Sequence, residues 1–181
     1  MKKIFLTMAL LACTAGIMTV SAQKKVALKV STVAQGAESK TVNVTKDKKG
    51  YITLFDGKNL DGWRGYGKDH VPARWTVEDG CLKFNAGQGE GGDIIFAHKF
   101  KNFILEMEWK VSKGANSGIF YLAQEVKNDK GGMEPIFISA PECQVLDNEN
   151  HPDAKLGVDG NRKASSLYDM IPAKPQNAKP Y

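Results

Sequence analysis

Apolar and polar residues alternate most clearly between Asn102 and Leu122, and that stretch predicts the centre of the fold. Phe103, Leu105, Met107, Trp109 and Val111 fall on one face of an extended strand, whereas Ile104, Glu106, Glu108 and Lys110 fall on the other, because strand side chains alternate with period two. Lys113 to Gly118 supply glycines and an asparagine suited to a turn, and Ile119 to Leu122 resume a β-prone run. The segment therefore reads as a hairpin with one greasy and one charged face. Glu106 and Glu108 lie about 7 Å apart on the charged face, at a rise of roughly 3.3 Å per residue.

Other parts of the chain continue in short extended runs. Tyr51 to Phe55 is strand-like, and Asp56-Gly57 and Asp61-Gly62 give two turn signals that place Trp63 just beyond. Trp75 to Glu78 and Cys81 to Phe84 flank Asp79-Gly80, a dipeptide suited to a tight hairpin turn. Asn85 to Gly92 is rich in glycine but lacks the Gly-Lys-Ser/Thr ending and the following helix of a phosphate loop, so it reads as a loop beside a strand. Asp93 to Phe100 is a further strand. Glu142 to Asp147 alternates again, with Glu142 and Gln144 on one face and Cys143 and Val145 on the other. Asn148 to Lys163 is a long polar loop, Ala164 to Asp169 a short strand, and Pro172 to Tyr181 an exit containing prolines. Helical periodicity never lasts beyond a turn or two. The pattern predicts an all-β sandwich or barrel, which needs two sheets to enclose a core.

The N-terminus follows a different rule. Lys2-Lys3 is a basic start, Ile4 to Cys13 is an uncharged apolar run, and Val20-Ser21-Ala22 resembles a signal-peptide cleavage site. Residues 1–22 therefore read as a leader cleaved before Gln23, and the mature chain as exported to the periplasm or beyond the cell. A lipoprotein anchored through Cys13 is the rival, since Leu10-Leu11-Ala12-Cys13 loosely resembles a lipobox; the apolar run through Ile17, Met18 and Val20 suits it poorly. Residues 23–50 read as a polar extension with one or two weak strands, and residues 51–181 as the globular domain. No later segment approaches the roughly 18 apolar residues of a membrane span, so no membrane partner is expected after cleavage.

Charge changes the picture little. Without Lys2 and Lys3 the 25 basic residues fall to 23 against 20 acidic, a balance that serves solubility and leaves no nucleic-acid footprint. Cys81 and Cys143 remain after leader removal. Paired, they would close a loop of about 60 residues worth roughly 4 kcal/mol; two separately buried thiols are the equal alternative.

Several segments together resemble one family. They are Leu54-Phe-Asp-Gly-Lys-Asn-Leu-Asp-Gly-Trp63, Trp75-x-Val-x-Asp-Gly80, Phe103-x-Leu-x-Met-Glu-Trp-Lys110, Asn116-Ser-Gly-Ile119, Glu142-x-Gln-x-Leu-Asp147 and Leu167-Tyr-Asp169. In this order they resemble the 3-keto-disaccharide hydrolases, over about Tyr51 to Tyr181. The resemblance implies a concanavalin- or LamG-like jelly-roll sandwich in an exported carbohydrate-active protein, acting on a small-molecule sugar. It also implies further strands after a Gly-Glu-Trp-Asn segment, so the sandwich is expected to be incomplete at the C-terminus of this sequence.

The implied chemistry begins from a ketone at C3 of the sugar. That ketone acidifies the C2 proton and places the C1 leaving group β to the carbonyl, so a base can drive elimination, after which water adds. Such a site needs a general base, a donor for the enolate oxygen and groups that orient hydroxyls. Glu142 is the preferred acid/base residue, with Gln144 as a hydroxyl or enolate partner; a solvated edge strand is the plain alternative. Asn116, Ser117, Tyr121 and Asp147 are candidate sugar contacts, and the resemblance alone adds Tyr168 and Asp169. Trp63, Trp75, Trp109 and Tyr121 invite ring stacking, although Trp109 sits on the apolar face and fits the core.

Two rivals follow from the same residues. Glu106 and Glu108 meet the roughly 6.5 to 9.5 Å window of an inverting glycosidase, but from one strand they do not flank a glycosidic bond, and Glu106-x-Glu108-x-x-Val111 lacks the third carboxylate of the one-strand glucanases. The other rival is a sandwich that binds carbohydrate without turning it over. His70, His98 and His151 lack paired zinc spacing, and Asp147, Asn148, Glu149 and Asp153 lack the alternation of a calcium loop, so neither metal nor cofactor is assigned.

Overall fold

The computed structural model describes residues 2–6, 25–30 and 40–179, with side chains from residue 46 onward. Among them every regular element is a strand or a single 3-10 turn, in agreement with the all-β expectation. In order they are β1 (Lys2–Leu6), β2 (Lys25–Val30), β3 (Lys40–Thr45), β4 (Tyr51–Phe55), β5 (Trp63–Gly65), β6 (Trp75–Glu78), β7 (Cys81–Phe84), β8 (Ile94–Phe96), β9 (Phe103–Met107), β10 (Asn116–Phe120) and β11 (Glu142–Leu146). Short 3-10 turns span Ile136–Ile138 and Pro152–Lys155. The chain divides into two compact units, Met1–Glu108 and Trp109–Tyr181.

In the first unit the largest sheet runs β4-β1-β9, with β1 parallel to both neighbours. Most of the expected leader, residues 7–22 with Cys13, lies outside the described residues, but its first residues form this central strand. Parallel pairing, and a strand from the expected leader, were not foreseen. The β2–β3 hairpin occupies the expected polar extension, and Asp47 turns the chain into β4 by accepting N–H bonds from Lys49 and Tyr51 at 2.8 Å.

The unit's core follows from alternation. Phe103, Leu105 and Met107 of β9 turn inward, while Ile104 and Glu106 turn outward. They pack against Ile52, Leu54, Phe55 and Leu82 together with Trp63, Trp75 and Phe96. Trp63 adds an indole N–H bond to the Leu54 carbonyl at 2.8 Å, which ties the Asp61-Gly62 turn to β4. The expected β6–β7 hairpin is present in the register Val77↔Leu82. Asp79 and Gly80 both have positive φ, 50° and 71°, which is what a two-residue turn between right-twisted strands requires. The strand expected over Asp93 to Phe100 is confined to Ile94–Phe96, because the His98 N–H turns back to the Phe96 carbonyl.

The predicted central hairpin is absent. β9 ends at Met107 and pairs with β1, whereas β10 begins at Asn116 and pairs with β11. Asn116, Ser117 and Gly118 are strand residues, and the turn falls earlier, where the Ala115 N–H bonds the Ser112 carbonyl. The strand expected over Ala164 to Asp169 is reduced to isolated bridges, Leu167 with Cys143 and with Ile171. Neither Cys81 nor Cys143 forms a disulfide.

Candidate functional site

In the second unit β11 is paired on both edges. On one side it meets β10 antiparallel in the register Asn116↔Leu146, Gly118↔Gln144 and Phe120↔Glu142. On the other, the Gln144 N–H bonds the Ser166 carbonyl at 3.0 Å, the Ser165 N–H bonds the Gln144 carbonyl at 2.7 Å, and the Tyr168 N–H bonds the Glu142 carbonyl at 2.9 Å. Backbone partners on both sides fix which face each side chain takes. Residues directly opposite share a face, so Glu142, Gln144, Asn116 and Gly118 share one, while Ser117, Cys143 and Val145 share the other. The structure therefore brings Asn116 to the face of Glu142 and takes Ser117 to the opposite one.

Glu142 does not stand squarely over Phe120. Its side chain leans along the sheet over Gly118: a Cβ built there would lie 2.6 Å from the Glu142 Cδ and 2.8 Å from Cγ, closer than real Cβ atoms approach. The carboxylate thus lies toward Gln144, which stands opposite Gly118. Gln144 is 1% exposed; its Oε1 accepts the Val145 N–H at 2.9 Å, and its Nε2 is buried without a hydrogen-bond partner. A buried donor left unmatched costs about 1–3 kcal/mol, so the amide is a standing demand for an acceptor. Burial pushes the thiol of Cys143 upward, and the neighbouring Glu142 charge pushes it the same way, which disfavours a thiolate there.

Asp147 is placed differently from a ligand-binding residue. It is 2% exposed, and its oxygens accept the N–H groups of Gly114 at 2.7 Å and Glu149 at 3.1 Å and the Asn150 side chain at 2.7 Å. These donors, the Gly114 N–H first, hold its carboxyl below the usual carboxylate range. Asp147 therefore joins the turn before β10 to the turn after β11. The Asn148 Oδ1 likewise accepts the Ala164 N–H at 2.8 Å, so two members of the imagined calcium loop are occupied by the chain itself.

Tyr168 and Asp169 belong to a charged cluster that the sequence did not announce. Arg162 forks onto Asp169, with Nε to Oδ1 at 2.8 Å and Nη2 to Oδ2 at 2.9 Å, and its Nη1 reaches Asp153 at 3.1 Å. The Tyr168 hydroxyl donates to Asp153 at 2.9 Å, and the Arg162 guanidinium lies 5.4 Å from the centre of the Tyr168 ring. Arg162 lowers the Asp169 carboxyl, whereas burial and then the Asp153 bond raise the Tyr168 phenol. Nothing in the spacing of Arg162 marked it, because its partners lie 7 and 9 residues away across irregular loops. Gly118, read as part of a turn, is a strand residue of β10, and a glycine inside a strand marks a close approach.

The remaining candidates are dispersed. Tyr121 lies just past β10, exposed, with its N–H on the Pro141 carbonyl at 3.2 Å. Glu106 and Glu108 belong to the first unit. Glu106 accepts the Tyr51 hydroxyl, a contact that pushes the Tyr51 phenol up to about 12, while Glu108 is exposed beyond the end of β9. Trp109 packs with Leu146, Ala154 and Ala164, as its apolar position predicted. A cleft of about 370 Å³ in the second unit is lined by Lys155, Asp159, Lys163 and Gln176 among others and includes none of the candidates.

The Asp147 arrangement makes a prediction about pH. A carboxyl lowered in the folded state stabilises above its unfolded value of about 3.9, and that contribution disappears as pH falls through the lower folded value. The melting temperature of the native protein should exceed that of Asp147→Asn by a constant margin between pH 7 and 5, and the margin should narrow below about pH 4. A margin unchanged down to pH 3 would contradict the role given to this carboxylate.

Two comparisons show which known proteins this chain is similar to. A family model described as the 3-keto-alpha-glucoside-1,2-lyase-like domain matches residues 50–181. The 3-keto-disaccharide hydrolase of Bacteroides thetaiotaomicron is 58% identical over 203 residues, an alignment covering all of this chain and 70% of that protein. The chain belongs to the 3-keto-alpha-glucoside-1,2-lyase-like family.

Proposed function

We propose that this protein is a carbohydrate hydrolase that cleaves the glycosidic bond of 3-keto-glycosides or 3-keto-disaccharides by elimination and hydration. The observation that carries the reading is the Glu142 carboxylate laid across Gly118, on the face it shares with Gln144. The family match and the name of the similar Bacteroides protein support the substrate class.

In this reading Glu142 removes the C2 proton, the electrons of the C2–H bond form the C1=C2 double bond, and the C1–O bond breaks with departure of the aglycone. Protonated Glu142 passes that proton to the departing oxygen; water then adds its hydroxyl to C1 while its proton goes, through Glu142, to C2. Asn116 and Tyr168 orient sugar hydroxyls, and Arg162 keeps Tyr168 and Asp169 in place. Gln144, being buried, acts from behind Glu142 through its unmatched amide N–H. Conventional acid/base hydrolysis through Glu106 and Glu108 is less well supported, since the Glu106 carboxylate is engaged by Tyr51.

Location follows from the leader. Lys2-Lys3, the apolar run to Cys13 and Val20-Ser21-Ala22 support export with cleavage before Gln23. Cleavage removes β1 and leaves β4 and β9 with edges that need another strand or a cover.

Turnover is tested with a 3-keto-glucoside and its unoxidised parent, reading aglycone release by chromatography. The native protein should release aglycone from the keto-sugar alone. Glu142→Gln should lose about 10²- to 10⁴-fold in kcat while still binding the sugar. Release from the parent glucoside would favour conventional hydrolysis; sugar binding with no release from either would favour a binding module. Export is tested by N-terminal sequencing of the protein from the producing cells' exported fraction. A start at Gln23 is expected, lipid-modified Cys13 would establish the rival anchor, and absence from that fraction, with Met1 intact inside the cells, would overturn export.

A further inference from the structure

Gly118 sits in the middle of β10 with ordinary extended backbone: it is absent from the glycines of positive φ, so no turn or left-handed conformation demands a glycine there. Glycine in a strand interior weakens the strand, since it offers no side chain to pack and loses more conformational freedom on folding. Something else must require it. The required feature is space: the position where a Cβ would be is taken by the Glu142 side chain, with Cγ and Cδ within 2.8 Å and Oε1 nearer still. Directly across the ladder from Gly118 stands Gln144, so the vacancy on β10 draws the carboxylate along the sheet toward the buried amide.

We infer that Gly118 is a positioning residue for the Glu142 carboxylate, its missing side chain forming the notch in which the acid/base group is held. The inference rests on the catalytic reading of Glu142, but its geometric half stands independently. A methyl group at residue 118 collides with the carboxylate and forces it off the diagonal, back over Phe120. Truncating Glu142 at Cβ removes Cγ and Cδ together and relieves the collision, whereas aspartate would keep its Cγ in the same place.

The test is a double-substitution cycle on the full chain, with Gly118→Ala, Glu142→Ala and the combination G118A/E142A. Thermal melts come first. Gly118→Ala should lower the melting temperature by a few degrees when Glu142 is present and leave it unchanged or higher in the Glu142→Ala background, where only the usual benefit of alanine over glycine remains. Equal shifts in both backgrounds would overturn the inference. Kinetics on the 3-keto-glucoside come second. Gly118→Ala should lower kcat by about a hundredfold with KM little changed and shift the acidic limb of the kcat profile. A loss carried by KM alone, or an acidic limb that does not move, would overturn the positioning role. If the native protein is inactive on the keto-sugar, the catalytic reading of Glu142 fails, and the melting cycle still decides whether Gly118 holds its carboxylate.

Discussion

The second unit depends on keeping β11 in one register. Its backbone is bonded to β10 on one edge and to Ser165–Tyr168 on the other, and Asp147 at its end binds both the turn that enters β10 and the turn that leaves β11. A slip by one residue would carry Glu142 and Gln144 to the opposite face and bring Cys143 and Val145 to theirs, because the period along a strand is two. It would also strip Asp147 of its donors. A typical backbone hydrogen bond contributes about 1 kcal/mol net, whereas a buried group left unmatched costs about 1–3 kcal/mol, so a slip is opposed mostly by what it would orphan. The position of one carboxylate thus rests on a second, whose oxygens are engaged by N–H groups of the chain.

Around this strand the polar groups divide into two kinds. Asp147, Asn148 and Asn161 are used on backbone N–H groups at close to 2.8 Å and set the loops. Arg162, Asp153, Tyr168 and Asp169 instead bind one another and remain partly accessible. The Asp169 side chain is 47% exposed, so its pair with Arg162 contributes little to stability, in keeping with other solvent-screened pairs. Its value is geometric. A fork of two parallel N–H bonds fixes the guanidinium plane, and the plane in turn supports the ring of Tyr168.

How much of this was legible in the sequence depended on how local each cause was. The β6–β7 hairpin was readable because its turn, Asp79-Gly80, and both strands lie within ten residues. The faces of β11 were readable too, since alternation within Glu142 to Leu146 needs no knowledge of partners. By contrast, the hairpin drawn through Asn102 to Leu122 failed because β10 takes its partner from beyond a long polar stretch, and Asn116-Ser-Gly carries the same letters whether it turns or pairs. Asp147 looked like a sugar or calcium ligand for a related reason: an acid in a polar loop reads alike whether it meets solvent or its own backbone. Gly118 lay in plain view inside the family motif, yet its role became visible only with the Glu142 side chain beside it.

In the proposed reaction, bond cleavage proceeds through loss of the C2 proton to Glu142 and delivery of a solvent proton to C2. The most direct measurement is turnover of a 3-keto-glucoside in deuterated water, with the released sugar analysed at early times for deuterium at C2 and the same keto-sugar incubated without protein as the reference. Elimination followed by hydration predicts one deuterium at C2 for each bond cleaved, above the exchange of the reference. Released sugar that retains its original hydrogen at C2 would contradict the account, because direct displacement at C1 leaves that bond untouched.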